Sequence, residues 1–267
     1  MTKNFEKNTF SKRLKTMLAV DFGRMFGSKF VYILIASCLV MPIAILVMTT
    51  MMDGTVSVNP QTGAETVIEG FDNVWQIIGS LSNAGMSMDM GITAMCNINL
   101  LYFILSVLVC IFVAGDFRSG FSKNLFTVRS KKTEYIISKT VVCSVGSALM
   151  ILAFFAGSML GGAIAGLPFD MDGFNAFNIA MCVLSKMILV AVFVPIYLLM
   201  SVISKHRSWL AICLSMMVGM FMFMMIPMLT PLNSTFANPL ICIVGGVALS
   251  LGFGAISNAV IKKTSLV

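Results

Sequence analysis

The sequence predicts an all-α integral membrane protein with six transmembrane helices and both termini cytoplasmic, and three observations carry that expectation. The 267 residues are 58% hydrophobic and 11% charged, whereas about a quarter of a soluble domain is charged. Several uncharged runs of about 20 residues each suffice to cross a hydrocarbon core of ~30 Å as helices, where barrel strands would be short and alternating. The charges are also segregated: 17 of the 18 Lys and Arg fall in four segments that alternate with loops holding seven of the 11 acids and no basic residue. Basic loops face the cytoplasm. The net charge of +7 therefore belongs to the inner membrane face and not to a nucleic-acid site.

Residues 1–29 hold seven Lys/Arg, and Phe10, Leu14, Leu18, Phe22 and Phe26 recur every fourth position with Met17 and Met25 beside them. This pattern predicts a basic amphipathic helix in the cytoplasmic interface. Asp21, Arg24 and Lys29 interrupt the segment, which excludes a signal peptide. The first span is Val31–Met51, with Pro42 removing a backbone donor and kinking it. Residues 52–92 form a large outer loop, with five acids and no base, in which Val74, Ile77, Ile78 and Leu81 have helical spacing.

The second span runs over residues 93–115 and the third over 140–165. The third carries Gly157/Gly161 and Gly162/Gly166, two pairs with the spacing that lets another helix approach closely, and a dimer face is one use for them. A short acidic outer turn follows at 166–173. The run 174–204 is too long for one upright span and is either a tilted helix or an outer surface helix leading into one. Lys186 within it is the lone base away from the inner surface. It either lines a polar pathway or snorkels to the outer headgroups, and snorkelling is the simpler expectation. The fifth span, 208–229, aligns Met216, Met220, Met224 and Met228 on one face, as a compliant wall for a variable apolar substrate or as packing. The sixth is 240–261, stopped by Lys262 and Lys263. The whole chain is expected to form a single membrane domain with no soluble unit.

Between the second and third spans lies residues 116–139, too charged for lipid. Phe117, Phe121, Leu125 and Val128 fall on one helical face opposite Arg118, Ser122, Lys123 and Arg129. A helix starting near Asp116 would thus carry an apolar stripe for docking or for lying on a surface. The competing expectation is a solvated basic loop that only fixes topology.

This layout resembles the type 2 ABC transporter permeases. The local pattern is an acidic residue closing span two, a Gly four positions on, a basic-Ser pair and a Lys opening span three, here Asp116, Gly120, Arg129-Ser130 and Lys139. Asp116 stands where the family often has Glu, and the Pro often found near position 128 is absent. The resemblance implies that 116–134 is a coupling helix seated in a groove of a separate ATP-binding cassette ATPase. Asp116, Phe117, Arg118, Gly120, Phe121, Leu125, Arg129, Ser130 and Lys139 are then the coupling residues. It also implies pairing with a second permease copy or a related permease, placement in the plasma membrane, and a role in export. The small size and lack of an outer domain resemble permeases that expel antimicrobial peptides or amphipathic toxins, with drugs and lipids as further substrates.

The chain carries no phosphate-binding G-x-x-x-x-G-K-[ST] loop, so ATP and Mg are expected on the partner subunit and no cofactor in this chain. No HExxH, carboxylate pair or Ser/His arrangement points to an intramembrane enzyme, and no catalytic residue is expected. The seven cysteines are scattered singly, which reads as small buried hydrophobes. Met86, Met88 and Met90 alternate as in soft-metal loops but lack His or a Cys pair nearby, so no metal site is expected. A non-transporting membrane anchor or receptor is the rival functional class.

Overall fold

The computed structural model describes residues 10–58, 65–80, 96–128, 132–204, 207–223 and 225–263. Met86, Met88, Met90, Met224, Arg129 and Ser130 lie outside the described residues. Among the described residues nine helices follow in order: α1 (Phe10–Phe26), α2 (Lys29–Met52), α3 (Leu101–Arg118), α4 (Phe121–Val128), α5 (Thr133–Ala165), α6 (Ala176–Ser204), α7 (Ser208–Phe223), α8 (Met225–Leu229) and α9 (Ala237–Lys263). Between α2 and α3, β1 (Val56–Val58) pairs antiparallel with β2 (Glu65–Val67), Val56 opposite Val67, one 3₁₀ turn covers Val74–Ile77, and a second, Ile98–Leu100, runs directly into α3.

Among the described residues five helices are long and apolar enough to cross a membrane: α2, α3 with the 3₁₀ turn Ile98–Leu100 before it, α5, α6 and α9. The expected fifth span is helical on both sides of position 224, which lies outside the described residues: α7 has 16 residues, about 24 Å of rise, and α8 has five, with Pro227 inside. Span three differs from expectation. Its helix starts at Thr133 and extends 33 residues, so it reaches well beyond the hydrocarbon core and its first turns belong to the inner surface. The 174–204 run resolves as one long helix from Ala176, and the outer surface helix is not needed.

Helix α6 is the central post. Of its most apolar 18-residue window 72% is buried, against 22% for α2 and 17% for α9, so those two lie at the periphery with most of their apolar surface facing outward. Helix α9 runs along α6, while α3 packs between α6 and α7. Tyr102 of α3 sets its ring 4.6 Å from that of Phe193, and the Tyr197 hydroxyl donates to the Tyr102 carbonyl at 2.9 Å. A buried phenol needs such a partner.

Helix α2 is laid along α5 through glycines. A Cβ placed on Gly157 would stand 2.0 Å from the Leu39 carbonyl oxygen, and one on Gly161 would stand 2.8 Å from the Ile43 Cα. Gly162 likewise leaves room for Val74 of the 3₁₀ turn, 2.2 Å from where its Cβ would be. Three of the four glycines of the small-residue pairs, for which a dimer face was one use, are therefore taken up by packing inside the chain. Gly166, the last of them, closes α5 in the left-handed region at φ 72°, a conformation that favours Gly.

The ends of the bundle sort as the charge pattern requires. At one end, Asn73 Nδ2 donates to the Asp170 carbonyl at 2.7 Å, Leu232 N to Ser80 O at 2.8 Å, and Asn178 Nδ2 to Ser234 O at 3.0 Å. The three acidic or neutral loops thus form one cap, with Trp75 edge-on to Phe169 and Phe174. At the other end, Lys132 Nζ reaches the Ile261 carbonyl at 2.9 Å and Asn258 Nδ2 reaches Thr133 Oγ1 at 3.2 Å, so the end of the last helix joins the basic loop. In intact cells, a Cys introduced at Glu69 should react with an impermeant maleimide, and one at Lys123 should react only after permeabilisation. Reaction at Lys123 from outside would invert this topology.

Candidate functional site

Four charged side chains from three helices meet at the basic end. Along α1, Met17, Asp21 and Met25 occupy every fourth position and are the buried residues of that helix. The carboxylate is therefore flanked by two methionines at the middle of the inward face. Gly146 of α5 makes the approach possible, since a Cβ there would lie 2.8 Å from the Met25 sulfur. Asp21 faces α5, where the Ser138 hydroxyl donates to its Oδ2 at 2.6 Å and Lys139 Nζ to its Oδ1 at 2.8 Å. Lys139 also reaches Asp116 Oδ2 at 2.7 Å, and Arg24 Nη2 reaches Asp116 Oδ1 at 2.6 Å. The Tyr135 hydroxyl adds a 3.0 Å bond to Asp116 Oδ2.

Asp21, Asp116 and Lys139 are fully buried and Arg24 is partly so. Two negative and two positive groups balance within the cluster. Burying one ion alone is prohibitive, whereas a compensated and hydrogen-bonded group of this kind is tolerated, and removing one partner commonly costs about 3–5 kcal/mol. Aromatic faces complete the desolvation. Lys139 Nζ lies 4.0 Å from the Phe112 ring centroid and the Arg24 guanidinium lies 4.1 Å from that of Phe121, both within cation–π range. A second pair anchors the start of α1, with Arg13 Nε 2.8 Å from the buried Glu134.

Asp116 was expected to open a docking helix and favour the positive end of its dipole. The structure overturns that placement: Asp116 sits near the end of α3, where the dipole opposes a carboxylate. The fixed cations Arg24 and Lys139 hold it there instead. The chain then turns at Gly120, whose φ of 73° lies in the left-handed region, and α4 begins at Phe121.

The expected apolar stripe is likewise turned the other way. Phe117 is buried in α3, and on α4 the inward positions are Ser122 and Phe126, with Phe121 and Leu125 half-buried at the margin. Phe126 stands edge-on to Tyr135 at 5.3 Å and beneath Lys132 Nζ at 5.3 Å. Phe126, which lies outside the expected stripe, thus fastens α4 to its own bundle. Lys123, Asn124 and Thr127, with Arg118 and Ser119 before the turn, form the exposed face. The Phe126→Ala variant should loosen α4 while leaving the spans inserted, seen as faster amide exchange across 121–128 at unchanged expression.

The structure brings together Asp116, Phe117, Phe121, Leu125 and Lys139, with Gly120 as the turn and Arg118 at its surface. It adds residues that sequence reasoning passed over: Asp21, Arg24, Tyr135, Ser138, Arg13 and Glu134. The available signal was an aspartate in register with Met17 and Met25, read as an interruption.

The candidate substrate-pathway residues do not converge. Met216, Met220 and Met228 are exposed on the outside of the bundle, with Met220 at 68%, so they form no internal wall of this chain. Lys186 neither snorkels nor joins them. It is fully buried, with Nζ 2.8 Å from both Asn99 Oδ1 and Thr230 Oγ1. Among the described residues no group of three or more His, Cys, Asp or Glu is arranged to hold a metal ion.

Comparison with known families finds that residues 27–222 match a model described as ABC-2 family transporter protein. The match spans well over half of the chain, from just before α2 to the end of α7. No curated protein and no solved structure matches.

Proposed function

We propose, because this chain belongs to the ABC-2 family of transporter proteins, that it is the permease subunit of an ATP-driven exporter in the cell membrane. Membership makes it a transmembrane component of an ABC transporter. The finer reading is that a separate ATP-binding cassette subunit, carrying ATP and Mg, seats against the polar face of α4 and moves an amphipathic substrate outward. Peptides, toxins, drugs and lipids all fit that description. Six spans are half of a twelve-span transporter, so a second copy or a related permease completes the pathway, and α2, α9 and the Met face of α7 are the apolar surfaces left to meet it or the lipid.

The observation that carries this reading is the buried charge cluster. It ties α1, α3 and α5 into one unit immediately above α4, and Arg24 touches both Asp116 and the Phe121 ring. A force applied to α4 therefore reaches three helices through short, desolvated contacts instead of dissipating in a loop. Packed elements with two discrete arrangements transmit such displacements.

Co-purification of the ATPase with the tagged chain tests the proposal. Lys123→Glu reverses a charge at the centre of the exposed face and should weaken association about tenfold or more, while Thr16→Ala, on the exposed side of α1, should change nothing. If no nucleotide-binding subunit accompanies the wild-type chain, the chain is a membrane anchor or receptor and not a driven permease; if both variants retain it equally, the ATPase does not seat on the polar face of α4.

A further inference from the structure

Among the described residues two lysines are completely buried, and they are treated differently. Lys139 faces two carboxylates. Lys186 faces only neutral oxygens, and among the described residues no carboxylate lies within ion-pair distance of it. Lys186 lies ten residues into α6, about 15 Å from its outer end and about 27 Å from its inner end. Snorkelling is prevented by the elements above it. The 3₁₀ turn before α3 supplies Asn99, and the residue after α8 supplies Thr230.

The donor and acceptor assignment is unambiguous. Thr230 gives its own hydroxyl proton to the Ile226 carbonyl at 2.8 Å, so its oxygen is free to accept from Lys186. Asn99 offers its amide oxygen. An ammonium group has three N–H donors, and the two described acceptors take two of them. The surroundings are fixed from behind, because the Tyr102 hydroxyl donates to the Lys186 carbonyl at 2.8 Å and the Cys182 thiol to the Thr230 carbonyl at 3.5 Å. The amine is thus held at a set position where three elements converge near the outer cap.

We propose that Lys186 is the recognition point for an anionic oxygen group, carboxylate or phosphate, on the molecule this permease carries. The inference rests on the transporter reading for its role and narrows the substrate to anionic amphiphiles. In the closed arrangement described here, Asn99 Oδ1 and Thr230 Oγ1 stand in for two oxygens of that group. Displacing α8 from α6 removes Thr230 and exposes two donors at once. Neutral oxygens compensate an ammonium only partly, and an anionic oxygen forms shorter and roughly twice as strong hydrogen bonds with it. An intramembrane charge without a built-in counter-ion is costly, and an arriving anion relieves that cost where it matters for transport. The apolar bundle around the site accepts the hydrocarbon part of the ligand.

The test uses the full chain alone in nanodiscs of neutral phosphatidylcholine, so it does not depend on the ATPase. Equilibrium binding of radiolabelled dodecanoate, corrected for empty nanodiscs, should be saturable and should be displaced by dodecyl phosphate or unlabelled dodecanoate but not by dodecylammonium. The ranking of the two anions separates a carboxylate from a phosphate preference. Lys186→Met should weaken binding about tenfold or more, the scale of one charge-assisted contact, and Lys186→Arg should retain most of it. If Lys186→Met does not fold, Lys186→Gln carries the same prediction. Absence of saturable binding, equal displacement by dodecylammonium, or wild-type binding by the folded neutral variant would overturn the proposal. Failure of the ATPase to co-purify would instead sink the transporter reading and leave the anion site standing.

Discussion

Lys139→Met should leave the protein inserted but poorly folded, with the thermal midpoint lowered and any ATP-driven transport lost. The methionine fills nearly the same volume yet strands Asp21 and Asp116, both fully buried, with only Arg24 left to compensate them. Leaving a buried charge without its partner costs about 3–5 kcal/mol, comparable to a large part of the 5–15 kcal/mol by which a typical domain is stable. The decisive comparison is with Asp21→Asn/Lys139→Met, which removes one charge of each sign and leaves Arg24 with Asp116. The double variant should recover stability relative to Lys139→Met, because the cluster is again balanced. If single and double variants unfold alike, packing and not charge holds α1 to α5.

Gly157→Ala should be the most damaging single-methyl change outside that cluster. Its Cβ would come within 2.0 Å of the Leu39 carbonyl oxygen and 2.8 Å of the Pro42 ring, and neither is the far end of a flexible side chain. Helix α2 must therefore move away along its whole contact with α5, and overpacking of this kind commonly costs about 1–3 kcal/mol. Gly245→Ala in α9 is the matched control. Nothing lies within 4 Å of a Cβ there, and relief of glycine's backbone entropy favours alanine by roughly 0.5–1 kcal/mol in a helix. Thermal unfolding in one detergent should show a lowered midpoint for the first and an unchanged or raised one for the second. Equal midpoints would mean that α2 and α5 are not in close contact.

The bilayer imposes a length and a composition on each helix, and so the all-α fold, the basic end and the positions of α2, α5 and α9 were legible from residue order. Register across helices was the main loss. Periodicity placed Phe121 and Leu125 on one face of α4 but did not say whether that face looked inward or outward. The answer depends on Tyr135 and Lys132, whose contacts with Phe126 come from the next helix. Asp21 was obscure for a related reason. On a lone helix a carboxylate beside two methionines is a flaw in an apolar face, and it becomes intelligible only once Ser138 and Lys139 arrive from 117 and 118 residues away. Lys186 shows the same limit, since sequence could not tell a side chain reaching the headgroups from one capped by Asn99 and Thr230.

The glycine-lined seam between α2 and α5 also sets a waiting time in biogenesis. Helix α2 ends at Met52, but the surface it packs against, around Gly157, is made 105 residues later. At about 5–20 residues per second, the first span waits roughly 5–20 s for its partner to leave the ribosome. It can do so because its hydropathy, 2.7 over the best window, is the highest among the five long spans. The most lipid-compatible span is thus the one synthesised first and docked late, so it is the span that needs an insertion chaperone least during its wait.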